Sequence, residues 1–111
     1  MSDLPREAEL AEILAALGNP IRLQIVARLV GRRAYVSQLA REMDASRPLL
    51  HMHLQRLEAA GLVVATPGLT DEGRAMKFYE AAPFSFLISP PAISAVLEVV
   101  DHSATATKIE E

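Results

Sequence analysis

Residues 36–63 read VSQLAREMDASRPLLHMHLQRLEAAGLV, and the order of capping, apolar and turn residues in this stretch decides the fold. Ser37 is a capping residue type, and Leu39, Ala40 and Met43 follow at helical spacing until Asp44 and Ala45 end the run. Ser46 caps again, ahead of Pro48, which a helix accepts only in its first turn. Gly61 then fits the position after the last helical residue, where Leu62 can fold back on Leu57 as in a Schellman ending. The stretch predicts a helix, a three-residue turn and a second helix over 46–60. At about 100° per residue, Leu50, Leu54, Leu57 and Gly61 share the sector of that second helix that faces a core. Pro48, Met52, Gln55 and Ala59 point away from it, with Leu49 and Arg56 on one flank and Arg47 and His51 on the other.

Upstream, Leu10, Ile13, Leu14 and Leu17 predict a helix over 6–17, closed by Gly18 as a left-handed cap. Asn19 and Pro20 start another over about 20–30, with Ile21, Ile25, Val26 and Leu29 inward as far as Gly31. Downstream of Gly61 the period changes. Residues 62–66 are short and β-branched, Pro67, Gly68, Asp71 and Gly73 mark a turn region, and 76–81 alternate Met76, Phe78 and Glu80 against Lys77, Tyr79 and Ala81. This predicts a hairpin whose loop of roughly nine residues projects as a flap. Residues 84–89 are apolar but too short to type. Ser89, Pro90 and Pro91 open a last helix with Ile93, Val96, Leu97 and Val100 on one stripe, which Ala92, Ala95 and Val99 widen, and from Asp101 the chain is expected to fray. The whole is mainly α with a β-hairpin wing, in the order α-α-α-α-β-β-α, which is the plan of a winged helix-turn-helix. Residues 1–83 would form that domain, and 84–111 a C-terminal dimerisation helix and tail. The 91–100 stripe is too wide for one layer to hide in so small a domain, so one side should pack on the first helix and the other, with Ile93, Val96, Leu97 and Val100, on a second copy.

The chain of 111 residues (12.1 kDa) is one domain's worth, half apolar, 5% aromatic and without Trp, so its core is mainly aliphatic. With no cysteine, disulfides, thiolate metal sites and a Cys nucleophile are excluded, and a cytoplasmic location is expected. The longest uncharged run, 81–97, is broken by Pro83, Pro90 and Pro91, so no membrane partner is expected. Enzyme chemistry finds no support: there is no Gly-rich phosphate loop, no GxSxG and no HExxH. The net charge of −3 hides an asymmetry. Residues 1–19 carry one basic and four acidic groups, 62–111 carry three basic and seven acidic, but 20–60 carry seven Arg against Glu42, Asp44 and Glu58. A basic segment within an acidic chain points to a polyanion, because phosphate contacts respond to charge within about a Debye length.

The segments ALGNPIRLQIVARLV (16–30), VSQLAREMDASRPLLHMHLQRLEAAGLV (36–63) and GRAMKFYEA (73–81) resemble, in order and separation, the ArsR family of transcriptional regulators, over residues 10–82. The resemblance implies a DNA-binding homodimer whose last helices form the dimer contact and whose wings flank the recognition helices. The residues suit that role on their own chemistry. Arg47 and Gln55 have the donor geometry for guanine and adenine edges, His51 can reach a base or a phosphate, and Met52 suits thymine methyls; Pro48 and Arg56 share that outward surface. Ser37, Gln38 and Arg41 lie on the helix that crosses the DNA backbone in this motif, Ser37 and Ser46 offer helix-start amides to phosphates, and Arg74 and Lys77 are backbone or minor-groove contacts from the hairpin. Arg28, Arg32 and Arg33 read as solvated arginines. His51 and His53 splay by about 200° and cannot chelate one ion. His53 matches the family's recognition-helix histidine. Asp101 and His102 resemble the family's interfacial zinc pair, but Ser103 to Thr107 replace the further ligands, so neither a metal nor a cofactor is expected. Apolar Leu49 and Met52 on the outward face motivate the rival reading, a winged helix used for protein contact.

Overall fold

A computed structural model describes residues 7–100 of the chain, and the side chains of 9–97. The expected fraying after Asp101 and the Asp101–His102 pair lie outside the described residues, as does the Val100 side chain. The elements are α1 (Glu7–Leu17), α2 (Pro20–Arg28), β1 (Arg33–Ala34), α3 (Val36–Met43), α4 (Arg47–Ala59), β2 (Val63–Leu69), β3 (Ala75–Ala81) and α5 (Pro90–Val100). The fold is mainly α with a β wing. Its contacts divide into two compact units, one of residues 13–83 and one from 1–12 with 84–111.

In the 13–83 unit, Ile25, Leu29, Leu39, Leu50, Leu54, Leu57, Leu62 and Tyr79 are fully buried. The Leu50, Leu54 and Leu57 sector of α4 is thus the core face that its spacing predicts. Local caps set most of the helix ends. Asn19 Oδ1 accepts from the amides of Ile21 (2.9 Å) and Arg22 (3.2 Å), and Ser46 Oγ accepts from Leu49 N (3.3 Å). At the end of α4, Gly61 has φ 77°, Leu62 N donates to Leu57 O (2.9 Å) and Gly61 N to Glu58 O (3.0 Å), which is the full Schellman pattern. The turn between α3 and α4 is the three residues Asp44, Ala45 and Ser46, with Asp44 left-handed at φ 53°; a short polar side chain tolerates that conformation.

Four expectations need correction. α2 ends at Arg28, short of residue 30. Gly18 is not a left-handed cap; the residues with positive φ are Gly31, Asp44, Gly61 and Gly73. What closes α1 instead is a side chain from the next helix, the Arg22 guanidinium, whose Nε donates to Ala16 O at 2.6 Å. Ser37 does not cap α3, which begins at Val36, with Tyr35 in the cap position and Gln38 Oε1 reaching back to accept from Tyr35 N (3.1 Å). The hairpin is longer and its loop shorter than expected, because Pro67 and Gly68 belong to β2 and only 70–74 turn.

The hairpin also gains a strand. β1 pairs antiparallel with β3 (Arg33 with Glu80, Ala34 with Tyr79), giving the order β1-β3-β2, and β2 pairs with β3 from Val63 opposite Ala81 to Leu69 opposite Ala75. Two residues are too few to leave a period in the sequence. Pro67 is accommodated because β2 is an edge strand. Both faces of β3 are covered: Tyr79 is buried in the core, while Phe78, on the opposite face, lies under the Arg33 guanidinium (4.1 Å to the ring centroid) and edge-on to Tyr35 (5.4 Å). Arg33 is therefore a lid over an aromatic ring and not simply a solvated arginine.

In the second unit, Ser89 starts α5 by accepting from Ala92 N through Oγ (3.2 Å) and from Ile93 N through its carbonyl (2.9 Å). Leu10 and Val96 are buried and line one apolar crevice with Phe86 and Ala92, and Phe84 stacks on Phe86 at 6.0 Å. Leu87, Ile88, Ile93 and Leu97 remain exposed. Among the described residues no single helix is long and apolar enough to cross a membrane.

One buried polar link anchors α4. Arg22 Nη1 donates to His53 Nδ1 at 2.9 Å, and both side chains are buried. A guanidinium only donates, so Nδ1 must accept and the imidazole is neutral, with its proton on Nε2. Burial first, then the charges of Arg22 and Arg56, pushes the His53 pKa below its ordinary 6.5. In the unfolded chain the imidazole takes up a proton near pH 6.5 that the folded chain refuses, so stability is complete above that pH and falls as pH drops below it. Glu42, held below the usual carboxylate range by its hydrogen bonds from Arg32, loses its contribution only at more acidic pH. The urea midpoint is expected to fall between pH 7 and 5.5, and His53→Gln to flatten that fall; an equal fall in the variant would assign it to other groups. At Gly68, an added Cβ would lie 2.8 Å from Phe78 Cδ1 and 3.1 Å from Arg33 Nη1. Gly68→Ala is expected to cost about 1–3 kcal/mol in urea unfolding, the overpacking of a buried ring outweighing the loss of glycine's unfolded-state freedom.

Candidate nucleic-acid interface

The exposed side of α4 follows from its buried side. Arg47, Pro48, Leu49, His51, Met52, Gln55 and Arg56 are all exposed, while His53, two residues from His51, points inward. Leu49 (37% exposed) and Met52 (46%) add apolar surface to this face. Three elements meet at the start of α4. A recess of about 190 Å³ is lined by Val36 and Ser37 of α3, Arg47 and His51 of α4, and Lys77 and Tyr79 of β3. It therefore brings together four of the residues singled out in the sequence: Ser37, Arg47, His51 and Lys77. Arg74 sits apart from these at the wing turn, where its backbone N donates to Thr70 Oγ1 (3.0 Å) and its carbonyl accepts from Thr70 N (2.9 Å). Gln38 is half-buried with its carbonyl oxygen engaged at the helix start, whereas Arg41 is exposed.

The arginines fall into two sets. Arg22 is buried on His53 and Ala16, Arg33 stacks on Phe78, and Arg32 donates through both terminal nitrogens to the two carboxylate oxygens of Glu42 (3.1 and 2.9 Å), with Arg28 3.7 Å away from the same carboxylate. Arg28 and Arg32 are thus paired rather than merely solvated. Such exposed pairs add little stability, but they neutralise the charges involved. The side chains of Arg41, Arg47, Arg56 and Arg74, by contrast, make no hydrogen bond or ion pair among the described residues, and the Lys77 ammonium rests 5.5 Å above the Tyr79 ring. Among the described residues, the arginine side chains left without any partner are those of α3, α4 and the wing turn.

The helix-start amides expected at Ser37 are those of Val36 and Ser37, in the first turn of α3, and they have no acceptor among the described residues, because Tyr35 supplies no capping side chain. Sequence reasoning missed two buried features beside this surface. Tyr79 is completely buried and its hydroxyl has no hydrogen-bond partner among the described residues. The Arg22–His53 link is the other; its signal was a histidine on the core side of the helix, which requires a polar partner somewhere. Among the described residues no three His, Cys, Asp or Glu side chains gather as a metal site.

The family model described as a helix-turn-helix domain matches residues 17–65. An uncharacterised HTH-type transcriptional regulator of Methanocaldococcus jannaschii is 39% identical over 84 residues, 75% of this chain and 86% of that protein. A transcriptional regulator homologue from Pyrococcus horikoshii is similar in structure, with 30% identity, TM-score 0.56, and coverage of 87% of this chain and 97% of that one. The fold is also that of the homodimeric winged helix-turn-helix DNA-binding domain of a possible ArsR-family regulator from Mycobacterium bovis, with TM-score 0.60 and 22% identity over 94% of this chain and 85% of that one. These are regulators and not enzymes. With its helix pair and these relatives, the chain belongs to the helix-turn-helix transcriptional regulators, and its winged fold is the one it shares with the possible ArsR-family regulator from Mycobacterium bovis.

Proposed function

We propose that the protein is a cytoplasmic, sequence-specific regulator of transcription that binds double-stranded DNA as a homodimer. Residues 46–60 of each subunit enter successive major grooves about 34–36 Å apart, and the wing, 67–77, lies on the backbone or in the minor groove. The observation that carries this reading is the segregation of charge, with Arg41, Arg47, Arg56 and Arg74 unpaired on the face that α3, α4 and the wing present. Arg47, Gln55, His51 and Met52 read bases, with Pro48 and Arg56 beside them; Ser37, Gln38, Arg41, Ser46, Arg74 and Lys77 hold phosphates. A dimer seated on a promoter keeps polymerase away, so repression is the expected sense. Residues 1–83 carry the DNA contacts and 84–111 the dimer contact.

Dimerisation is supported by the exposed apolar side chains of the second unit, Leu87 (72%), Ile93 (38%) and Leu97 (39%), by the buried Val96 between them, and by the homodimeric state of the M. bovis domain. The reading uses no metal or cofactor.

The decisive measurement is fluorescence anisotropy against DNA from upstream of the protein's own gene and against scrambled DNA, across salt. Tight binding to the upstream site that weakens on the order of a thousandfold between 50 and 200 mM salt is expected. Absent or salt-insensitive binding to both would favour protein contact through Leu49 and Met52 instead. Arg47→Ala is expected to lose about 1–3 kcal/mol on the specific site and little on scrambled DNA; an unaltered preference would remove Arg47 as a base reader. In sedimentation equilibrium at micromolar concentration the wild type should have the mass of a dimer and Leu97→Glu that of a monomer. A monomeric wild type would contradict the dimer.

A further inference from the structure

Four independent features meet in the recess between α3, α4 and β3. The first turn of α3 presents the Val36 and Ser37 amides without a capping side chain. Arg47 of α4 also lines it, with no acid paired to its side chain among the described residues. Lys77 reaches in from β3 with its ammonium over the Tyr79 ring. Tyr79 itself lines the recess, and its hydroxyl is buried and makes no hydrogen bond among the described residues, an arrangement that costs a folded protein more than it returns unless something supplies the missing acceptor. Each of these four is a hydrogen-bond donor, a cation, or both, and Tyr35, His51 and Met76 complete the lining. The chemistry they call for is a tetrahedral anion with several acceptor oxygens.

We infer that this recess is a seat for one phosphate group, held by the Val36 and Ser37 amides, the Lys77 ammonium and the Tyr79 hydroxyl, with Arg47 along its rim. The phosphate completes the missing cap of α3, where the helix dipole favours negative charge. Lys77 is the movable part: pairing with the phosphate draws the ammonium off the ring on its flexible stem, and the Tyr79 hydroxyl donates to a second phosphate oxygen. In the DNA-binding reading, on which the identity of the ligand rests, the group is a backbone phosphate that fixes the register of α4 in the groove. A free phosphate-bearing molecule has the same chemistry and would compete with DNA for the seat.

Two arms on the full chain separate these sources. In the first, inorganic phosphate is titrated at constant ionic strength while the Val36 and Ser37 amide resonances are followed. Saturable shifts in the wild type that need roughly three- to tenfold more phosphate in Tyr79→Phe are expected. In the second, Tyr79→Phe is expected to weaken binding to upstream and to scrambled DNA by the same factor, roughly three- to tenfold, with an unchanged salt slope, and Lys77→Ala to lower that slope by about one. Saturation by phosphate without any DNA binding would keep the seat, assign it to a free phosphate compound and end the DNA reading. Weaker DNA binding in Tyr79→Phe without saturation by free phosphate would assign it to the backbone alone. Tyr79→Phe indistinguishable from wild type in both arms would overturn the inference. So would a lowered thermal midpoint in that variant, since removing an unpartnered buried hydroxyl should leave stability equal or higher.

Discussion

Arg22 is a permanent cation with almost no access to water, and the arrangement of the larger unit depends on how its donors are satisfied. Its Nε closes the last turn of α1 on Ala16 O and its Nη1 reaches His53 on α4, so one side chain ties the C-terminal end of one helix to the middle of another. Taking a guanidinium out of water costs several kcal/mol, which is recovered only if all its partners are in place. The link is therefore all or none. The leucines of α4 supply most of the burial, but apolar packing is non-directional and would tolerate a helix rotated by part of a turn. A 2.9 Å bond to one ring nitrogen does not. The rotation that seats His53 inward is the rotation that turns Arg47, His51 and Gln55 outward.

The same economy of partners explains how an acidic chain can present a basic face. Glu42 engages two arginines and Phe78 a third, and these lie on α2, the segment after it and β1. The cations of α3, α4 and the wing turn are left unneutralised. Whole-chain charge averages over this separation. Local pairing reveals it.

What was legible in the sequence was what is local. A leucine every turn of α4 gives its buried face, and Asn19, Ser46, Gly61 and Ser89 act on amides or carbonyls within a few residues of themselves. The misreadings share a different cause, a competing side chain that takes the place the signal residue marks. Ser37 has the chemistry of a cap, but the Gln38 side chain closes back on Tyr35 and starts the helix before it. Gly18 resembles a cap glycine, but Arg22 does that work from four residues on. Pro67 and Gly68 resemble a turn; the close approach of Phe78 makes glycine the residue that fits in the strand. Strict alternation in β3 would bury only one of Phe78 and Tyr79, and both are buried because a distant arginine and tyrosine cover the second face. The outward residues of α4 were legible as a set. The recess they share with α3 and β3 was not, since it depends on where three separate elements converge.

The three-stranded sheet has two edges, and each is blunted in its own way. β1 is two residues long, too short to template another strand, and β2 carries a proline that removes one donor from its ladder. Strand addition, a common route by which small β-containing proteins associate or aggregate, finds no continuous row of open backbone groups here. A wing built this way offers neighbouring chains no ready strand to extend.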